Sequence, residues 1–261
     1  MKNIIKILFF LLFIQACSDS TLEKKGFQVR EIIEGEQGQK IVGLPIDSLK
    51  LETRPRNVLL TKDRAHRLVP IYKVNYDKKT KKPFVGDNDF HRDWDPIYAE
   101  GNNWNGNFMP GFSAVHGYNF VNVAHYDNER KAQTMFFERP VLIKTLYYPA
   151  FSSDTLNHRA VARDYYMVSA YDEDSNKDGF INSTDLRRFY LFDLNGKPQK
   201  PLVPKNYSVL SSEYDPDNDF MYVFAKLDQN ENGQMELEEP THIFWVDLKN
   251  PENTGLQYKN D

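Results

Sequence analysis

Two stretches of this chain space oxygen-bearing side chains at the same short intervals. In the first, Asp174, Asn176 and Asp178 alternate; Gly179 and Phe180 follow, then Asn182 and, last, Asp185. In the second, 54 residues on, Asp228, Asn230 and Asn232 alternate; Gly233 and Gln234 follow, then Glu236 and Glu239. In a twelve-residue loop, side chains at positions 1, 3 and 5 fall on one side of the turning chain. Glycine at position 6 permits the sharp turn, and the carbonyl at 7 faces the same centre. Position 9 reaches that centre directly or through water, and a carboxylate at 12 closes the shell. The donors are Asp174, Asn176, Asp178, Asn182 and Asp185 with the Phe180 carbonyl, and Asp228, Asn230, Asn232, Glu236 and Glu239 with the Gln234 carbonyl. Every donor is oxygen, which suits a hard divalent cation over metals that seek thiolate or imidazole.

Loop 174–185, with Ile181 at its eighth position, resembles the EF-hand calcium loop at each constrained position. Loop 228–239 resembles it up to its end, where Pro240 stands in place of the apolar residue that opens a helix. The resemblance implies Ca2+ as the bound ion. Asp185 is one methylene shorter than the usual glutamate, which reduces its reach for two-oxygen coordination. The same Asp, Asn and Gly residues also build ordinary solvated hairpin turns, the alternative reading of both loops.

The elements that must position these loops carry strand composition. Residues 166–196 align with 220–250 without gaps, so that Met167 matches Met221, Asp174 matches Asp228, Gly179 matches Gly233 and Asp193-Leu194 matches Asp247-Leu248. Each unit has an aromatic and β-branched run, an acidic loop and a second such run. The runs are Tyr165–Ala170 with Phe189–Leu194, and Phe220–Ala225 with Ile243–Leu248. No helix–loop–helix sensor is expected. Two fainter copies run from Val69–Tyr76 into Asp77 and from Phe120–Tyr126 into Asp127. The loop-opening aspartates are therefore spaced 50, 47 and 54 residues apart, close to one four-stranded propeller blade. With Asp215-Pro216-Asp217-Asn218 before a strand that leads to an Asp-opened loop, the last two units resemble TolB-type β-propeller blades. The expected class is all-β: repeated strand–calcium loop–strand units in a small propeller-like domain, or a β-sandwich of duplicated hairpins.

The first residues bear on the compartment. Lys2 and Lys6 lead into the apolar run Ile7–Ile14, which is too short for an ordinary membrane-spanning helix. Ile14-Gln15-Ala16-Cys17 resembles the bacterial lipoprotein box, with an ordinary signal peptide as the alternative. The resemblance implies cleavage after residue 16, a diacylglycerol thioether on Cys17 and a fatty chain such as palmitate on its amine. Several chains hold a membrane far more firmly than one, at about 0.8 kcal/mol per buried CH2. The expected organisation is a signal peptide over 1–16, a lipidated N-terminus and tether over 17–53, and a β-rich domain over 54–258. The tether has room for short strands at Phe27–Ile33 and Lys50–Thr53. The expected location is the outer membrane or cell surface of a bacterium. Calcium there does not pulse as it does in cytoplasm, and extracellular sites have Kd of about 10⁻⁴ to 10⁻³ M. Near 1 mM calcium each site then adds about 0.4–1.4 kcal/mol, the scale of a structural clamp.

Other chemistry finds little support. The chain has one cysteine, which leaves no disulfide framework and no Cys-based zinc site. Its net charge of −4 argues against a broad nucleic-acid-binding surface. The six histidines form no zinc-hydrolase pair, and there is no nucleophile elbow or phosphate-cradling glycine loop. Residues 87–118 gather Asp87, Asp89, His91, Asp93, Trp94, Asp95, Trp104, Phe108, Phe112, His116 and Tyr118, as a sugar-binding cleft or a self-packed loop would. The sequence thus points to a calcium-binding, membrane-anchored envelope or surface lipoprotein. It is expected to be a non-enzymatic interaction or scaffold module with a protein or glycan partner. The alternative is a carbohydrate-binding or carbohydrate-active lipoprotein with its site in 87–118.

Overall fold

The computed structural model describes residues 25–35, 39–46, 51–85 and 109–260. The signal segment, Cys17 and the aromatic stretch 86–108 lie outside the described residues. All named elements are strands, so the all-β expectation holds. Thirteen of them build two antiparallel sheets, and eleven of these thirteen form the main paths. In chain order these are β1 (Thr53–Pro55), β2 (His66–Lys73), β3 (Phe112–Asp127), β4 (Leu142–Pro149), β5 (Tyr165–Tyr171), β6 (Arg188–Asp193), β7 (Pro198–Pro201), β8 (Tyr207–Asp215), β9 (Phe220–Leu227), β10 (Thr241–Asp247) and β11 (Thr254–Tyr258).

Strands β1 to β7 lie side by side in sequence order, and Leu59–Leu60 and Ala132–Met135 add to β2 and β3. The 16-residue β3 makes this one sheet. Its first part pairs with β4, from Phe112↔Pro149 to His116↔Thr145, and its second part with β2, from Phe120↔Tyr72 to Asp127↔His66. Register breaks between Ile143 and Thr145 and between Ile71 and Tyr72 bend the sheet at this strand. Strands β8 to β11 form a separate four-stranded meander. Among the described residues no sheet closes into a barrel. The outermost strands of the larger sheet carry prolines, Pro55 in β1 and Pro198 and Pro201 in β7.

The strand runs reflect burial on one face or two. In β5 every residue from Tyr165 to Tyr171 is buried, which is why this segment shows no alternation in sequence. Tyr165 and Met167 pack with Phe189 and Leu191 against Met221, Val223, Ala225, Phe244 and Val246 of the smaller sheet. Tyr166, Val168 and Ala170 face the opposite way, into a second core with Phe120, Val123, Ile143 and Leu146. In β9 and β10 only alternate residues are buried until Ala225 and Lys226, so their outer face is half-exposed.

Asp77 and Asp127 do open hairpins, as expected, but short ones. Each carboxylate accepts two backbone N–H groups of its own turn, from Lys79 and Thr80 and from Glu129 and Arg130. The stretch read as one loop over 87–118 divides: from Phe112 onward it is strand, and the Phe112 side chain is buried between the sheets. Residues 25–35 and 39–46, within the segment expected as a tether, contain paired strands. Phe27–Gln28 pairs with Phe180–Ile181, and Arg30–Glu34 forms a ribbon with Lys40–Pro45. The apolar Phe27 supplies the reason, since it is buried with Val121, Leu142, Tyr171 and Ile181 in a third core.

Candidate metal centre

Loop 174–185 joins β5 to β6, and loop 228–239 joins β9 to β10; both strand pairs are antiparallel neighbours. The sheets thus hold each loop at both ends. Within the loops the backbone takes the same path. Position 4 has a left-handed conformation in both (Lys177 φ 61°, Glu231 φ 56°), and so does position 6 (Gly179 φ 92°, Gly233 φ 75°). Two left-handed residues two apart fold the chain back sharply, and glycine takes such a φ without steric cost.

The side chains then bond to the turn at matching positions. The first-position carboxylate accepts the N–H of the sixth residue, Gly179 to Asp174 at 3.1 Å and Gly233 to Asp228 at 3.0 Å. The third-position amide oxygen accepts from the fifth N–H, Asp178 to Asn176 and Asn232 to Asn230, both at 3.0 Å. The fifth accepts from the seventh, Phe180 to Asp178 at 2.9 Å and Gln234 to Asn232 at 2.8 Å. The twelfth-position carboxylate reaches back across the loop. Asp185 accepts from Ser175 and Asn182 at 2.8 and 2.9 Å, and Glu239 from Gln229 and Glu236 at 3.1 and 3.0 Å. Five hydrogen bonds therefore recur at equivalent positions despite different side chains at 5, 9 and 12.

Positions 3, 5 and 9 also meet, with the charge placed differently. In the first loop the Asn176 and Asn182 amides both lie 3.5 Å from the Asp178 carboxylate. In the second the Asn230 and Asn232 amides donate to Glu236 at 2.8 and 2.9 Å. Each loop thus gathers two amides around one acid. Among the described residues no three His, Cys, Asp or Glu side chains are drawn together tightly enough to chelate an ion by themselves. Amide and carbonyl oxygens make up half of each proposed donor set, and the acids are held by backbone N–H groups.

The chemistry of the donors fits a cation. Asp174 Oδ2 accepts from Gly179 and pairs with Arg30, whereas Oδ1 is buried without a hydrogen-bond partner on a side chain only 5% exposed. Burial raises the Asp174 carboxyl above its ordinary range, and the like charge of Asp178 adds to this. Burial likewise pushes Asp185 up to about 7, against the opposing effect of its backbone donors. A buried carboxyl disfavoured as an anion is one that a nearby positive charge would ionise.

The spacing did not single out Ser175, the second residue of its loop. Its hydroxyl donates to the Gly233 carbonyl at 2.7 Å and accepts the Leu186 N–H at 2.8 Å. A backbone bridge between Asp185 and Gln234 lies beside it, so the two loops touch. A small side chain at position 2 is the only trace of this contact in the sequence.

Of the 87–118 candidates, Trp94 and Trp104 fall outside the described residues, and His116 Nδ1 sits 3.1 Å from Thr145 Oγ1. No protein-family model and no curated protein sequence matches the chain.

Proposed function

We propose that this chain is a calcium-binding, lipid-anchored protein of a bacterial envelope or surface. In this reading it is a non-enzymatic interaction or scaffold module whose two loops hold calcium as structural clamps. The single observation that supports it best is the common frame of the two loops: left-handed residues at positions 4 and 6 and five equivalent hydrogen bonds. Plain turns of different composition have no reason to share a register that also orders a carboxylate at position 12.

Asp174, Asn176, Asp178, Asn182, Asp185 and the Phe180 carbonyl would hold one ion; Asp228, Asn230, Asn232, Glu236, Glu239 and the Gln234 carbonyl would hold the other. Calcium bound there would supply positive charge among the three carboxylates of each loop. The loops touch where the two sheets meet, so ions in them would stiffen that junction. Anchoring through Cys17 rests on the lipoprotein-box resemblance, and blade-like stacking of the β8–β11 meander on the TolB-type one.

Thermal melts of the full chain in detergent, with millimolar calcium and then with chelator, test the reading. The melting point should rise with calcium, and Asp174→Ala and Asp228→Ala should each lose part of the rise. An unmutated protein that melts at the same temperature in calcium and chelator would sink the proposal.

A further inference from the structure

The two loops share one frame but differ in what lies against them. At position 8, Ile181 is only 3% exposed, whereas Met235 is 37% exposed and Leu237 beyond it 84%. Ile181 packs on Val121, Leu142 and Tyr171 of the larger sheet and is closed over by the N-terminal strand. Phe27 pairs with Ile181 and Gln28 with Phe180, and Val29 and Arg30 both donate their N–H groups to the Gly179 carbonyl at 2.8 and 3.2 Å. Arg30 Nε then lies 3.4 Å from Asp174 Oδ2. Gly26 permits the approach: with φ +48°, a Cβ there would overlap the Ile181 carbonyl oxygen.

We propose that Phe27–Arg30 is the third wall of the 174–185 ion site, with Arg30 a positioning residue for Asp174, so that ion occupancy and docking of this strand are linked. The inference rests on the calcium reading above. Arg30 and the Gly179 N–H both engage Oδ2, which leaves the partnerless Oδ1 as the oxygen for the ion. The strand pairing fixes the peptide units on either side of Phe180, whose carbonyl is the seventh-position donor. An ion that needs both oxygens in place favours the docked strand, and by reciprocity the docked strand favours the ion. The second site has no such wall among the described residues, so the linkage belongs to the first site alone. The strand begins ten residues after Cys17. Undocking of 27–46 would free a stretch of chain that spans at most roughly 70 Å at full extension. Calcium would then set how far the domain stands from its anchor.

Peptide-resolved hydrogen exchange of the full chain in detergent, titrated with calcium, tests the linkage. Calcium should slow exchange in 27–34 together with 174–185, at the same midpoint. Gly26→Ala, whose added methyl would run into the Ile181 carbonyl and the Cβ of Asn182, should undock the strand, weaken the 174–185 midpoint about fivefold or more and shift 228–239 less. Arg30→Gln should act in the same direction without a backbone clash, and Arg30→Lys should recover part of the loss. Protection of both loops without protection of 27–34, or an unshifted 174–185 midpoint in both Gly26→Ala and Arg30→Gln, would overturn this inference and leave the calcium reading intact. Protection of neither loop would overturn both.

Discussion

Arg163 and Asp219 meet in a two-pronged ion pair buried between the two sheets. Nη1 donates to Oδ2 at 3.0 Å and Nη2 to Oδ1 at 2.7 Å, with side chains 1% and 3% exposed. Arg163 also donates to the Leu248 and Pro110 carbonyls, and Tyr214 donates to Asp219. Arg163 stands just before β5 and Asp219 just before β9, while loops 174–185 and 228–239 follow the far ends of those strands. The sheets are thus pinned at both ends, by a guanidinium at one and by touching loops at the other.

Truncating Arg163 leaves the Asp219 carboxylate buried and unpaired. Arg163→Ala should cost about 3–5 kcal/mol, which lowers the melting point by roughly 6–20 °C in a chain of this size. Arg163→Lys, which keeps the charge and loses the fork, should fall between the two. A denaturant titration that puts Arg163→Ala within about 1 kcal/mol of the unmutated chain would mean the pair contributes little.

At the other end, Gly233 has φ +75°, and a Cβ there would run into the Ser175 carbonyl oxygen. Gly233→Ala should therefore part the loops and speed hydrogen exchange in 174–186 as well as in its own loop. Ser175→Ala removes only the hydroxyl bridge and should cost about 1 kcal/mol. If exchange in 174–186 is unaffected by Gly233→Ala, the two loops are mechanically independent.

The His125–His66 pair should give acid sensitivity of its own. The ring nitrogens lie 2.9 Å apart, and both residues are largely buried. Burial first, and then the charge of His66, lowers the His125 pKa below 6.5. The folded state therefore binds fewer protons than the unfolded state between that lowered pKa and 6.5. The associated stability is complete above about pH 6.5 and is lost as pH falls through the lowered pKa. Asp185, pushed up to about 7 by burial, has the opposite slope in this range, so the readout is a difference. Between pH 7 and 5 the unmutated chain should lose more stability than His125→Gln. Parallel pH profiles for the two would refute it.

Strand positions and the shared frame of the two loops were legible because both write short-range patterns. The β5 and β9 runs are β-branched and aromatic, and the donors of each loop lie within twelve residues. The partners of those loops were not. Phe27–Gln28 contributes only two paired residues, too few for any periodicity, and its fit depends on Gly26 lying against a carbonyl more than 150 positions away. Arg163 and Asp219 sit outside the strands, where an isolated charge carries no sign of burial. The 54-residue offset between the loops announced their likeness but not their contact, because Ser175 and Gly233 meet through a hydroxyl and a main-chain oxygen.

The prolines at the rims of the larger sheet bear on how such molecules behave when crowded. Pro55, Pro198 and Pro201 have no N–H to offer a neighbouring chain, so the rims are poor templates for strand addition at these positions. The smaller sheet ends differently, on β11, with Leu256 and Tyr258 about half exposed and no proline among Thr254–Tyr258. Strand addition at this C-terminal rim is therefore open to the protein at high concentration, and a charged substitution at Leu256 would disfavour it.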